Sequence, residues 1–319
     1  MSTATAALRR LRGLTLTKQQ YFAITVIALV SLVTIVASGS AVRLTGSGLG
    51  CPDWPRCYGK VVPPGDLNAI IEYANRLFTG VVGIAVIAAA VLSFRRRPYR
   101  WHLVVFGALL PLGVIGQAAL GAIVVANELA PELVMGHFIL SMILLDAAFA
   151  LMWCSRYEPG ERAASTDRAG VWAVRGLIPL GQLAIIAGTM TTGSGPHAGD
   201  FSEDVVRRFT FQGPETLEWM VQRHAALAVL FAVAIGGVIL FLRRRGGDRR
   251  ALRPLSFLLG LASLQIVVGI TQWLLELPAE IVWVHIVIAT TTWLGVLWSV
   301  ATAGRIKPRG GGMPVPNAA

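Results

Sequence analysis

Charged residues are scarce in this sequence: Asp, Glu, Lys and Arg together make up 14% of its 319 residues. A soluble domain carries about a quarter charged residues, because its surface faces water. The low charge therefore excludes an ordinary soluble enzyme. Hydrophobic residues make up 55% of the chain. This content excludes intrinsic disorder, because long apolar stretches bury enough surface to offset the conformational entropy of the chain.

Eight apolar runs account for most of the hydrophobic residues. They cover residues 21–41, 70–92, 103–125, 132–154, 172–192, 219–242, 255–275 and 280–303. Each has about the 20 residues that an α-helix needs to cross the hydrocarbon core of a bilayer. The first run is too long for a signal peptide and lacks a small-residue cleavage site beyond it, so we expect it to be retained. The runs predict an all-α bundle of eight transmembrane helices.

Acidic residues are also few, at 17 against 28 basic residues, and the formal net charge is +11. In a soluble protein this excess would suggest a nucleic-acid partner. Here 21 basic residues precede run one or follow the even-numbered runs. Five lie in the opposite loops, namely Arg43, Arg56, Lys60, Arg207 and Arg208. By the positive-inside rule, both termini are cytoplasmic. We therefore expect a multi-pass protein of the cell membrane with no nucleic-acid partner.

The two halves of the chain share a pattern at an offset of about 148 residues. The matched pairs are Gln117 and Gln265, Gly121 and Gly269, Leu129 and Leu277, Glu132 and Glu280, and His137 and His285. This pattern predicts two parallel four-helix repeats related by a pseudo-two-fold axis along the membrane normal. The predicted segments are a cytoplasmic amino-terminal segment (1–20), a first repeat (21–155), a cytoplasmic linker (156–171), a second repeat (172–303) and a disordered cytoplasmic tail (304–319).

Three histidines, His137, His224 and His285, lie about five residues inside the outer ends of runs four, six and eight. Ionisable side chains inside a membrane are costly and usually functional, and imidazole is the usual axial ligand of haem iron. We expect His224 and His285 to form an axial pair. His137 lies opposite Asn75, a poor iron ligand, so this asymmetry predicts one structural haem and one reacting haem. The alternative is that these histidines make only interhelical hydrogen bonds.

Other polar residues lie near these positions in the sequence. Arg76 and Arg223 are candidates for binding haem propionates, because a planar guanidinium matches a carboxylate in a low-dielectric site. Glu72 is either a functional carboxylate or an interfacial one that the helix dipole favours. We expect His102 to be interfacial. His197 lies in an outer loop, where it contacts a ligand edge or has only a loop role.

The three cysteines fall into two groups. Cys51 and Cys57 lie in the outer loop after run one, in an oxidising compartment, and the two prolines between them allow the chain to turn back. We expect a disulfide there, with a free reactive thiol pair as the alternative. Cys154 lies at the cytoplasmic end of run four, out of reach of the other two, and we expect it to be a buried apolar residue.

Four segments carry a resemblance to a known family. They are TGSGLGCPDWPRCYGK after run one, IIEYANRLFTG at the start of run two, GHF around His137, and TGSGPHAGD after run five. Together with the histidines of runs six and eight, they are similar to the haem A synthase family along essentially the whole chain. The resemblance implies an enzyme that oxidises the C8 methyl of haem O to the formyl of haem A for terminal cytochrome oxidases.

The resemblance also implies roles for particular residues. The family's functional positions fall here on His224 and His285 for a resident haem b, His137 for the substrate haem, Glu72 as the functional glutamate, and the pair Cys51 and Cys57. One position departs from the pattern, because the family commonly has a histidine in run two where this chain has Asn75. This departure agrees with a haem that binds, reacts and leaves, or it means that another group supplies the sixth iron ligand.

Two other functions fit some of these features. A haem-b electron-transfer protein would use the same histidines, but it gives no purpose to Glu72 or to the asymmetry between the halves. A transporter built from parallel repeats would need broken helices near the midplane, which the sequence lacks. The expected partners of an enzyme are haem O, the bilayer, haem O synthase and an electron donor that the sequence does not identify.

Overall fold

The computed structural model of the chain describes residues 15–63, 65–162, 164–200, 206–246 and 249–305. The expectations for residues 1–14 and for the tail beyond residue 305 lie outside these ranges. The helices are α1 (Lys18–Leu44), α2 (Leu67–Ser93), α3 (Trp101–Ala126), α4 (Pro131–Arg156), α5 (Arg168–Arg175), α6 (Leu177–Ser194), α7 (Thr216–Arg244), α8 (Leu252–Leu274) and α9 (Ala279–Ala303).

Eight helical segments of the described chain are long and apolar enough to cross a membrane, with α5 and α6 counted together as the fifth. Their outward faces are apolar, since Ile84, Leu112, Ile115 and Val233 are each 63% to 72% exposed. Such a surface is unfavourable in water and suits lipid. The predicted all-α bundle of eight helices is confirmed, and the chain is a multi-pass membrane protein.

The fifth segment differs from its prediction. Run 172–192 was expected to be one helix, but its first residues belong to α5, and Gly176 separates α5 from α6. The Asp167 side chain accepts a hydrogen bond from the Gly170 N–H at 3.0 Å and caps α5 at its N-terminus. This short helix is amphipathic, because Arg168 and Arg175 lie two turns apart on one face, whereas Val171 and Val174 are buried. The crossing part of the segment is therefore α6.

Two turns on one side of the bundle have the same backbone conformation. Glu128 and Leu129, between α3 and α4, have φ angles of 50° and 58°, and Glu276 and Leu277, between α8 and α9, have φ angles of 61° and 62°. Non-glycine residues seldom adopt positive φ. The two turns lie at the offset of the sequence pattern, which supports the two-repeat arrangement as a proposal.

The two halves meet through their first and last crossing helices. Helix α9 packs against α1 and α4, and α4 packs against α6. Two indoles of α9 donate hydrogen bonds into the first half: Trp283 Nε1 to the Ala37 carbonyl at 2.8 Å, and Trp293 Nε1 to Asp146 Oδ1 at 2.7 Å. The polar contacts between the halves therefore include bonds to both α1 and α4.

The largest cluster of buried apolar side chains lies towards the cytoplasmic half of the predicted topology. It includes Leu145 of α4 and Ile235 of α7, which lie two to three turns beyond His137 and His224 on the same helices. These side chains fill the space between the helices on that side. A cavity lies next to this cluster on the side of the histidines, and Leu145 is among the residues that line it.

Candidate functional site

A cavity of about 860 Å³ lies between the helices and is lined by both halves of the chain. Its volume falls in the upper part of the range for ligand pockets. His137, His224, His285 and Asn75 all line it, and so does Glu72. The structure thus brings together the candidate residues of runs two, four, six and eight in one space.

His224 and His285 face each other across the second half of the cavity. Their ring centroids are 6.1 Å apart, and the ring planes are inclined by 72°. His224 Nδ1 lies 3.0 Å from the backbone oxygen of Ala184. A carbonyl oxygen can only accept, so Nδ1 carries the proton and Nε2 keeps its lone pair. Histidines that bind metals usually have their other ring nitrogen engaged in this manner.

The other two histidines are partly buried, and their rings lack this second bond. The Nδ1 atoms of His137 and His285 have no hydrogen-bond partner within the described ranges. The backbone oxygens of both residues instead accept hydrogen bonds from Gln117 Nε2 at 3.1 Å and from Gln265 Nε2 at 3.0 Å. Because buried polar atoms are normally paired, these two rings are not explained as interhelical hydrogen-bonding groups. Imidazoles of this kind suit axial ligation of haem iron.

Asn75 and the three histidines each face a glycine on the helix that precedes their own in the chain. A Cβ atom would lie 2.9 Å from His224 Cε1 at Gly188, 3.3 Å from His285 Cε1 at Gly269, 3.5 Å from His137 Cε1 at Gly121, and 3.9 Å from Asn75 Nδ2 at Gly39. The glycines leave the rings room to turn towards the cavity. Sequence reasoning matched Gly121 with Gly269 but missed their role. The available signal was a glycine 16 residues before His137 and His285, and 36 residues before His224 and Asn75.

Asn75 is held by its neighbour on α1. The Ser38 hydroxyl donates to Asn75 Oδ1 at 2.7 Å, so the amide oxygen is engaged. The amide thus has a fixed orientation. In the second half, the imidazole of His224 occupies the corresponding position. The predicted asymmetry between the halves is present in the geometry of these residues, and its meaning for iron ligation stays a prediction.

Glu72 is a buried carboxylate, 5% exposed, near the start of α2. Its Oε2 accepts the Cys51 N–H at 2.8 Å, and its Oε1 accepts a hydrogen bond from Arg76. Arg76 Nη1 also donates to the backbone oxygens of Asp53 at 2.8 Å and Arg56 at 2.9 Å. The glutamate and the arginine are thus bound to each other and to the outer loop. The predicted contact of Arg76 with a propionate stays a prediction.

The loop between α1 and α2, which the sequence predicts on the outer side, is closed by a bond between Cys51 and Cys57. Both cysteines are fully buried against the start of α2, where they pack with Ala69. The Asp53 carboxylate accepts hydrogen bonds from the Tyr58 and Gly59 N–H groups within the same loop. This arrangement agrees with the expected disulfide, whose presence in the isolated protein stays a prediction. Cys154 is partly buried and unbridged.

Three candidates lie apart from the cavity lining. Arg223 is exposed, and its guanidinium lies 3.4 Å from the ring centroid of Trp219 on the same helix. His102 Nε2 lies 2.7 Å from Arg100 at the start of α3. His197 Nε2 donates to the Leu277 backbone oxygen at 2.7 Å. The propionate role of Arg223 stays a prediction, and His197 has a structural contact that connects two outer loops.

One lining residue was placed wrongly from the sequence. Arg43 was counted with the basic residues of the outer loops, but α1 extends to Leu44, and Arg43 therefore lies within the helix. It lines the cavity and donates from Nη1 to the His197 backbone oxygen at 2.8 Å. The available signal was its position only two residues beyond the end of an apolar run.

The fold and the cavity define a polytopic membrane protein with a histidine-lined intramembrane site. Residues 21–297 match the model of the COX15-CtaA family, described as cytochrome oxidase assembly protein, and the chain belongs to this family. It is similar to the heme A synthase of Shewanella oneidensis, with 28% identity over 81% of this chain and 89% of the relative. The heme A synthase of Bacillus mycoides is 25% identical over 77% of this chain and 81% of the relative.

A protoheme IX farnesyltransferase of Thermus thermophilus also matches, with 26% identity over 82% of this chain. The match covers 45% of that relative. This chain therefore corresponds to less than half of the longer protein.

Proposed function

We propose that this protein oxidises the C8 methyl of haem O to the formyl group of haem A, for use by a terminal cytochrome oxidase. The family and the relatives named heme A synthase indicate an enzyme of haem A biosynthesis. The observation that carries the finer proposal is the asymmetric cavity. It has facing imidazoles in one half, and an imidazole with an amide in the other.

The second half is proposed to hold a resident haem b between His224 and His285. The two rings face each other, and the Nδ1–H of His224 is fixed by the Ala184 carbonyl. His285 has a buried Nδ1 without a partner among the described residues. When bound there, a haem would supply one-electron redox chemistry. His224 and His285 would hold it, and the apolar walls of the cavity would surround it.

The first half is proposed to hold the substrate, haem O, with its iron on His137. Asn75 occupies the matching position on α2, and its amide oxygen is already bonded to Ser38. An amide is a weaker iron ligand than an imidazole, so the substrate is held from one side and is released after reaction. This difference gives the two halves the separate tasks of reaction and electron transfer.

Glu72 is proposed as the proton acceptor. Conversion of a methyl group to a formyl group breaks C–H bonds, and a positioned carboxylate acts as a general base that accepts a proton from the methyl or from an attacking water. Arg76 and the Cys51 N–H hold both carboxylate oxygens, which fixes the orientation of the group. The carboxylate lines the cavity beneath the outer loop. In the proposed topology, with both termini cytoplasmic, the reaction takes place near the outer face.

Haem O is proposed to arrive from a haem O synthase in the same membrane. The name protoheme IX farnesyltransferase, carried by a longer relative that includes a region similar to this chain, supports this link. Haem O and its synthase are thus the proposed partners, together with an electron donor.

Pigment extraction from the purified full chain tests the proposal. We expect haem b together with haem O or haem A. Haem b alone would instead support an electron carrier, and a protein without haem would refute both functions. The matched control is His102→Ala, because His102 lies outside the cavity lining beside Arg100. This variant is expected to keep the parent pigments, whereas His137→Ala is expected to lose haem O and haem A.

A further inference from the structure

Four charged residues line the cavity within the described part of the chain, and three of them have carboxylate or guanidinium partners. Glu72 and Arg76 pair with each other. Arg207 pairs with Glu132. Arg43 differs, because no carboxylate lies within ion-pair distance of it among the described residues. A guanidinium facing an apolar cavity is costly unless an anion compensates it.

The guanidinium of Arg43 has unused donors. Its Nη1 donates to the His197 carbonyl at 2.8 Å, and its Nε and Nη2 make no hydrogen bond within the described ranges. By contrast, Nη1 and Nη2 of Arg76 are both engaged, by Glu72 and by backbone oxygens of the disulfide loop. Of the arginines that line the cavity, Arg43 is therefore the one best able to bind the carboxylate of a ligand.

The outer loop between α6 and α7 fixes the position of Arg43. The Gly48 N–H donates to the Gly199 carbonyl at 2.8 Å and joins this loop to the end of α1. A Cβ atom at Gly199 would lie 3.4 Å from Arg43 Cγ, so the loop backbone packs closely on the arginine stem. His197 connects the same loop to Leu277 before α9. A cation held in this manner before the ligand binds loses little side-chain entropy on binding.

We propose that Arg43 is the carboxylate anchor of the cavity and that its guanidinium binds a propionate of a haem in the cavity. The inference rests on the proposed haem function and adds a recognition residue to it. Charge-assisted pairs between arginine and a carboxylate are strong and orient the ligand. Arg43 lies on α1 of the first half, and its contact loop belongs to the second half. The propionate therefore comes either from haem O or from the resident haem b.

A chemical comparison of ligand and protein tests the anchor. Purified full-length protein is titrated with haem O and with its dimethyl ester, which lacks both carboxylates, and binding is followed by absorption. We expect the parent to prefer the acid by roughly tenfold to a hundredfold, the usual effect of a hydrogen bond to a charged group. Arg43→Gln should weaken binding of the acid alone and remove the preference, and Arg43→Lys should keep part of it.

The matched control is Arg175→Gln. Arg175 lies at the end of α5 with its guanidinium 5.1 Å from the Trp172 ring centroid, and it does not line the cavity. This variant is expected to keep the acid preference of the parent. A second measurement identifies the source of the propionate. If Arg43 binds the resident haem, Arg43→Gln leaves haem O titrations unchanged, lowers haem b retention and shifts its reduction potential.

The results that overturn the anchor differ from those that overturn the function. A purely structural role for Arg43 would weaken the acid and the ester equally, through its bond to the His197 carbonyl, and would refute the inference. Unchanged titrations together with an unchanged haem b would also refute it. A parent protein that binds neither haem O nor haem b would refute the proposed function, and the anchor with it.

Discussion

The Cys51 backbone N–H donates a hydrogen bond of 2.8 Å to the Glu72 carboxylate, so the disulfide loop and the proposed catalytic base are in direct contact. The other carboxylate oxygen is bound by Arg76, which also holds the loop through the carbonyl of Asp53. The loop is therefore part of the site. A change in the loop and a change at Glu72 should affect the same proton transfer.

The first prediction concerns Glu72. Glu72→Gln keeps the size of the side chain but removes the proton acceptor. We expect conversion of haem O to haem A to fall by about 10² to 10⁴-fold, the usual contribution of a positioned base. Haem O or a singly hydroxylated intermediate should accumulate in the purified variant, with a normal b-type spectrum. The matched control is Glu132→Gln, because Glu132 pairs with Arg207 at an exposed position. Turnover within a few-fold of the parent would mean that Glu72 is structural.

The second prediction concerns the loop cysteines. Replacement of both Cys51 and Cys57 by Ser should lower activity more than stability. The loop that holds Glu72 loosens, whereas eight packed helices do not depend on one short loop. Activity and thermal unfolding are measured side by side, with Cys154→Ser as the control. In the parent, mass spectrometry of non-reduced peptides should find Cys51 joined to Cys57. Two free thiols there would contradict the prediction.

The third prediction concerns the resident haem. Replacing either His224 or His285 by Ala removes one of the two facing rings, which are 6.1 Å apart. Each variant should lose the low-spin b-type spectrum of the purified protein. Absorption spectra of the reduced protein measure this loss. If both variants kept the parent spectrum, the pair would not be the ligand set.

The fourth prediction concerns the glycine beside His224. A Cβ atom at Gly188 would lie 2.9 Å from His224 Cε1, closer than side chains tolerate, so Gly188→Ala should displace the ring and lower haem b retention. The comparison is Gly236→Ala on α7, where a Cβ atom meets nothing within 4 Å. That change should keep the haem and favour the helix by up to about 1 kcal/mol. Equal haem contents in the two variants would argue against a crowded ring.

The architecture was predictable where the signal extends over many residues. Eight apolar runs predict eight crossing helices, because each run has the length of the hydrocarbon core. Helix ends were less predictable, because local capping decides them. The Asp167 cap sets where α5 begins and Gly176 separates it from α6, and the extension of α1 to Leu44 moves Arg43 from a loop into the cavity lining. A shift of a few residues at the end of α1 was enough for Arg43 to be missed as a site residue.

The placement of Arg223 has a different physical reason. Successive residues on a helix point about 100° apart, so a residue next to His224 does not have to point into the cavity. His224 lines it, and Arg223 lies over Trp219, four residues earlier on the helix. Sequence proximity to a histidine was therefore a weak guide. The unpaired Nδ1 atoms of His137 and His285 could be identified only from the structure, because hydrogen-bond partners come from other helices.

Helix α9 is attached to the first half by the Trp283 bond to Ala37 and the Trp293 bond to Asp146. These contacts lie within the helices, and none of them uses the segment 156–171 that joins the halves in the sequence. The halves are therefore held together by contacts between helices as well as by the continuity of the chain. Two separately synthesised polypeptides, divided within that segment, should find each other in the bilayer and rebuild the shared cavity.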